Sequence, residues 1–300
     1  MKCLLTTMLM LMTVPLLGQE TRPTVRGLQS QLGELERRIA ELESGAAKAA
    51  EEDQSRPIID YSNGDQLAGT PGVVDGTVLY YLQWPGGSYT RQKLSEHLAT
   101  VPDGGYVLWD TEPWLHRKEG SYQTGDEETN LALFRAYADT LWHFGPELRR
   151  RKITIHVYQA PVILSRHFTV IRRGPGNSSY EGWEANQRRV LWQAEQAGML
   201  EALRACKGGV ALPLYVPPTW SDGRRWGGNL GLLIEHLGRV LDEQNVPHVW
   251  MTRPDCAGKP LASEHVEAIL TRAGGRVAIW GTVDAVGWDE FRAAIEKRHN

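Results

Sequence analysis

Asp110 and Glu112 are the residues whose types and spacing best suit chemistry. They stand in the run Tyr106-Val107-Leu108-Trp109-Asp110-Thr111-Glu112-Pro113-Trp114, where an apolar stretch gives way to two acids. Side chains at i and i+2 of an extended segment point to the same side, so the two carboxyls are expected to share one face. Like charges held close oppose double ionisation, which should raise at least one of the two pKa values. A carboxyl that keeps its proton near neutral pH can act as a general acid. The same pair would also suit a solvated loop, or a structural pairing with Arg253 or His156. Trp109 and Trp114 flank the acids, and the flat face and polar edge of Trp suit the walls of a sugar site.

Two acids at a strand end need a rigid frame. From Ile58 onward the sequence alternates short runs rich in β-branched and aromatic residues (78–82, 106–109, 153–158, 210–216, 248–252 and 277–280) with helical stretches (91–100, 127–150, 184–205, 230–244, 263–272 and 288–298). That alternation predicts βαβ units and a parallel sheet. The near-continuous apolar character of the strand runs predicts burial on both faces. The expected fold class is α/β, a parallel (β/α) TIM-type barrel. Six repeats are countable, so the barrel has fewer than eight strands unless another lies in 167–171. A doubly wound open sheet is the rival, but Trp84-Pro85-Gly86-Gly87 after the first run lacks the spacing of a dinucleotide loop.

Parallel barrels gather their reactive groups where strands end. That rule adds Trp84, Tyr158, Tyr215, Arg253 and Trp280 to Asp110, Glu112 and Trp114 as candidates for the site. His156 shares strand parity with Tyr158 and reads as a core or supporting histidine rather than a metal ligand. The nine histidines lack the paired spacing of a zinc site, and neither a metal nor a cofactor is expected. Ser165, His167 and Asp255 lack the Gly-x-Ser-x-Gly elbow of a nucleophilic triad.

Composition narrows the partners. The chain is 41% hydrophobic and 23% charged, enough to bury a core. Its 33 basic residues are scattered and slightly outnumbered by 36 acidic ones, which argues against nucleic acid as a partner. Eleven Trp and ten Tyr against four Phe favour aromatics with a polar edge, suited either to sugar rings or to a hydrogen-bonded core.

The first 57 residues carry address and assembly signals. A basic start, an apolar run to Leu17 and a small residue at Gly18 describe a secretory signal peptide over 1–18. Position 19 is Gln, so no lipid-bearing cysteine follows, and no membrane span is expected once the signal is removed. The expected location is secreted or periplasmic. Leu28, Leu32, Leu35, Ile39 and Leu42 repeat with four-three spacing, which predicts a coiled-coil helix over 20–45. So few heptads are marginal alone. Residues 28–42 either form a homo-oligomer or lie against the barrel. Residues 46–57 read as a polar linker, and 58–300 as the barrel. Cys206 and Cys256 remain after signal removal, and their spacing leaves pairing open.

The run around Asp110 resembles the hyaluronidase family of glycoside hydrolases, whose members carry an Asp-x-Glu pair at a barrel strand end before a Trp- and Pro-containing turn. Ala211-Leu212-Pro213-Leu214-Tyr215, Val246 to Pro254 and Val277-Ala278-Ile279-Trp280-Gly281 are similar to later strands of that family, in the same order. The resemblance implies a hyaluronidase-like TIM barrel and substrate-assisted retaining catalysis, which needs no protein nucleophile. Glu112 would protonate the leaving oxygen and Asp110 would steady the attacking N-acetyl group. Tyr158, Tyr215 and Trp280 would hold the sugar. The implied activity is that of a secreted endo-N-acetylhexosaminidase on an N-acetylhexosamine-containing polysaccharide. The alternative is a non-catalytic carbohydrate-binding barrel, or an envelope interaction protein, on a coiled-coil stalk.

Overall fold

The computed structural model describes residues 37, 56–62, 66–80, 85–110, 127–162, 174–214, 226–256, 259–261, 263–274, 276–281 and 285–299. The chain divides into two units, Met1–Glu51 and Glu52–Asn300. In the first unit only Arg37 is described, as a helical, exposed residue. The signal segment, the heptad positions and nearly all of the linker lie outside the described residues. Among the described residues, no helix is long and apolar enough to cross a membrane.

The second unit is a closed barrel of seven parallel strands. In chain order these are β1 (Ile58–Asp60), β2 (Val73–Tyr80), β3 (Tyr106–Asp110), β4 (Thr154–Tyr158), β5 (Gly209–Pro213), β6 (His248–Thr252) and, after a two-stranded antiparallel excursion of β7 (Asp255–Cys256) and β8 (Lys259–Pro260), β9 (Val277–Ile279). Each strand pairs with the next, β6 pairs with β9, and β9 pairs back to β1. The crossovers are α1 (Ser88–Thr100), α2 (Glu127–Arg151), α3 (Ser178–Gln196), α4 (Met199–Ala205), α5 (Trp226–Glu243) and α6 (Ser263–Arg272), with α7 (Trp288–His299) at the end.

Strand alternation sorts the apolar residues into two cores. Val107, Trp109, Ile155, Val157, Leu212 and Trp250 turn outward and pack with helix residues such as Leu94, Phe134, Tyr137, Leu191 and Leu237. Ile59, Leu108, Tyr158, Ala211, Met251 and Ala278 turn inward and fill the barrel with Tyr61 and Val249. Tyr61 enters because β2 carries glycine opposite it: a Cβ on Gly76 would run into the tyrosine ring.

Helix α2 shows how the frame is fixed. Glu127 and Glu128 open it and Arg149 to Arg151 close it, each sign matching the helix dipole at its end. Its last residue ties the start of the site strand, because the Arg151 guanidinium donates to the Leu98 carbonyl at 2.7 Å and to Asp103 at 2.7 Å. The Gly104 N–H then donates to the Arg151 carbonyl at 2.8 Å, two residues before β3 begins.

The expected parallel α/β barrel is what the chain forms, with three differences in detail. The barrel has seven strands among the described residues, because Ile58–Asp60 helps to close it although its three residues give almost no periodic signal. The 167–171 candidate lies outside the described residues. The first predicted strand begins five residues earlier, at Val73, since Asp75-Gly76-Thr77 interrupts the apolar run without breaking the ladder. The helix expected over 184–205 is two helices, broken where Gly198 adopts a left-handed φ of 79°.

Candidate active site

The strands end at one pole of the barrel, and inward-facing residues converge there. Asp110 is the last residue of β3 and shares inward parity with Tyr106 and Leu108. It is 7% exposed, a carboxylate that the apolar strand carries to the rim of the interior. Its partner across the ladder is Tyr80, the last residue of β2. Tyr158 ends β4 and is buried within the interior cluster.

Trp280 follows β9 directly, held by its N–H to the Thr252 carbonyl at 2.9 Å. Its indole Nε1–H donates to the Tyr80 hydroxyl at 3.0 Å, joining two strand ends across the mouth. The Arg253 guanidinium, just past β6, lies over the Trp280 ring at 5.7 Å, within cation–π range. Asp255 anchors that guanidinium at 3.2 Å. Asp110, Tyr158, Arg253 and Trp280 are therefore gathered at the same pole. Glu112, Trp114, Tyr215 and Trp84 lie outside the described residues.

Two features of this pole escape a reading of the sequence. Tyr80 is half exposed and hydrogen-bonded to Trp280, a pairing of residues 200 apart in sequence. Gln159 follows Tyr158 with φ of 64°, buried, its N–H donating to the Ala211 carbonyl at 2.8 Å. A buried non-glycine residue in the left-handed region is strained, and such residues cluster at working sites. Only the bare "QA" after the strand hints at it, and nothing in residue type signals strain.

A second buried acid at this pole plays another part. Asp60 ends β1 but shares the outward parity of Ile58, and it accepts the Ser62 N–H at 2.8 Å. Burial pushes its pKa up, partly offset by that hydrogen bond. It braces a turn and faces away from the interior.

His156 sits deeper, one pair below Tyr158. The Tyr61 hydroxyl lies 2.7 Å from its Nδ1, and the Tyr106 ring stacks on it with centroids 6.4 Å apart. Burial pulls its pKa down to about 4, so the ring is neutral. This is the core role expected from the sequence. Cys206 is a free, buried thiol.

No family model matches the chain, and no curated protein does. Among solved structures, a GH5-4 broad specificity endoglucanase from Clostridium longisporum aligns at 12% identity over 84% of this chain and 98% of its own, with a TM-score of 0.47. A glycoside hydrolase family 5 enzyme from Prevotella bryantii B14, solved with a xyloglucan tetradecasaccharide, aligns at 9% identity over 84% and 98%, with a TM-score of 0.49. A GH5 xyloglucan-specific endo-beta-1,4-glucanase from a metagenomic library aligns at 13% over 83% and 98%, with a TM-score of 0.45. What this chain has in common with them is the parallel α/β barrel. They are endoglucanases and xyloglucan enzymes rather than hyaluronidases.

Proposed function

We propose that this protein is an exported glycoside hydrolase that cleaves an N-acetylhexosamine-containing polysaccharide with the substrate's own N-acetyl group as nucleophile. The observation that carries the reading is Asp110, a buried carboxylate at the end of a barrel strand, facing inward beside an aromatic and cationic rim. In this reading Glu112 gives its proton to the glycosidic oxygen, and the N-acetyl carbonyl oxygen closes on the anomeric carbon. The positive charge that develops on that group is met by Asp110, whose burial limits screening by water. Trp280, with Tyr80 on its indole N–H, offers a flat wall to a sugar ring. Tyr215, Trp114 and Trp84 complete the proposed groove, Tyr158 backs it from the interior, and Arg253 steadies Trp280 from over its ring.

The test is a reducing-end assay of the mature protein on chitin-, chondroitin- and hyaluronan-type substrates. Glu112→Gln should lower turnover by roughly a hundredfold or more, the range of a lost general acid, and Asp110→Asn by a similar factor. Full activity in Glu112→Gln on every glycan that is cleaved removes the assignment. Glycan binding without any cleavage transfers the reading to a non-catalytic carbohydrate-binding barrel.

A further inference from the structure

The pole opposite the proposed active site holds a cavity of about 400 Å³, at the end where the strands begin. Gly209, His248 and Val277, the first residues of β5, β6 and β9, line it. Its size suits one small organic molecule. Three basic side chains, Arg56, Lys207 and Arg276, stand around it against one carboxylate, Asp242, which already pairs with Arg276 at 2.8 Å. Among the described lining residues basic side chains outnumber acidic ones, in a chain whose net charge is −3.

The inner end of the cavity offers a directed donor. His156 and Tyr106 line it there with their stacked rings. Burial keeps the Tyr61 hydroxyl protonated, and an imidazole lone pair is the better acceptor of the two groups, so Tyr61 donates to Nδ1. That fixes the proton of the neutral ring on Nε2. His156 is 95% buried, and its Nε2–H has no partner among the described residues.

The wall next to it is bare backbone. A Cβ on Gly208 would meet the Ile155 carbonyl oxygen at 2.7 Å, and one on Gly209 would press on Pro247 and His156. Just before these glycines stands Lys207, held at φ of 54°. This is the left-handed residue that ends α4, a position where glycine is the ordinary occupant. The chain carries a strained cation there instead, at the cavity's edge.

We infer that this cavity is a second binding site, for a hydroxylated organic anion of about monosaccharide size. The anionic group lies against Arg56, Lys207 and Arg276, and a hydroxyl or ring oxygen accepts from His156 Nε2–H. The ligand is held by hydrogen bonds and charge, with no covalent step.

Calorimetric titration of the full chain with glucuronate, glucose 6-phosphate and glucose tests it. Both anions should bind and neutral glucose should not; the tighter of the two tells a carboxylate from a phosphate ligand. Arg56 and Lys207 are exposed, so Arg56→Gln/Lys207→Gln should fold and should weaken anion binding by roughly tenfold. Lys207→Gly should raise the melting temperature by relieving strain while weakening the anion, two shifts of opposite benefit. Asp110→Asn should leave anion binding unchanged. Failure of both anions to bind, glucose binding as well as they do, or unaltered binding in the double variant overturns the site. Loss of binding in Asp110→Asn would move the ligand to the other pole and equally overturns it.

Discussion

His156 and His248 are buried neutral in the barrel wall, and that sets how the protein meets acid. Burial draws the pKa of each from 6.5 down to about 4; at His248 the nearby Arg276 adds to the effect, and the Val246 carbonyl partly opposes it. The unfolded chain takes up these protons near pH 6.5 and the folded chain only near 4, so falling pH favours unfolding. Between pH 7 and 5 each histidine should cost roughly 2 kcal/mol of stability, and above pH 7 the contribution should be flat. Urea midpoints measured across that range should fall, and His248→Gln should remove about half of the slope. A midpoint that stays level down to pH 5 would mean that neither ring is shielded. At this scale the sequence showed that Asp110, Trp280 and Arg253 stand at strand ends, because each closes or follows an apolar run that must be a strand. Tyr80 and Tyr61 were hidden, since what makes them matter is register across the barrel rather than anything near them in the chain.

Among the elements, β2 depends on one missing side chain. Gly76 lies mid-strand where glycine ordinarily weakens a ladder, yet it admits the Tyr61 ring to the interior. Gly76→Ala should therefore destabilise by about 1–3 kcal/mol despite its better strand backbone, the range of an overpacked core. Thermal unfolding reads it, and pairing the change with Tyr61→Ala should recover part of the loss by making room. Strands and helices with strong periodic signals were legible almost to the residue: β6 falls at His248–Thr252 and α6 at Ser263–Arg272, as read. Elements defined by tertiary fit were not. The three residues of β1 are a strand because β2 and β9 flank them. The α3–α4 break turns on Gly198, one glycine in an otherwise continuous helical pattern.

For the whole molecule, the heptads of 28–42 and the barrel are separate problems. So short a seam is marginal alone, and its five apolar positions need a partner surface. Deleting 20–51 should turn an oligomer of the mature chain into a monomer in analytical ultracentrifugation, with the barrel's melting temperature unchanged. An intact chain that is already monomeric would deny the seam an intermolecular role. The barrel has its own dependence on chain order. The strand β9 is three residues long and bonds to β6 on one side and β1 on the other, joining residue 59 to residue 278. The piece that seals the cylinder is thus made after the other six strands of the barrel. Until it arrives, β1 and β6 each present a bare row of N–H and C=O groups, the kind of edge that recruits foreign strands. Closure across so much chain is also slow, which prolongs the exposure. A nascent chain of this protein cannot close its barrel before β9 is made, and it is safest kept unfolded until that strand is free.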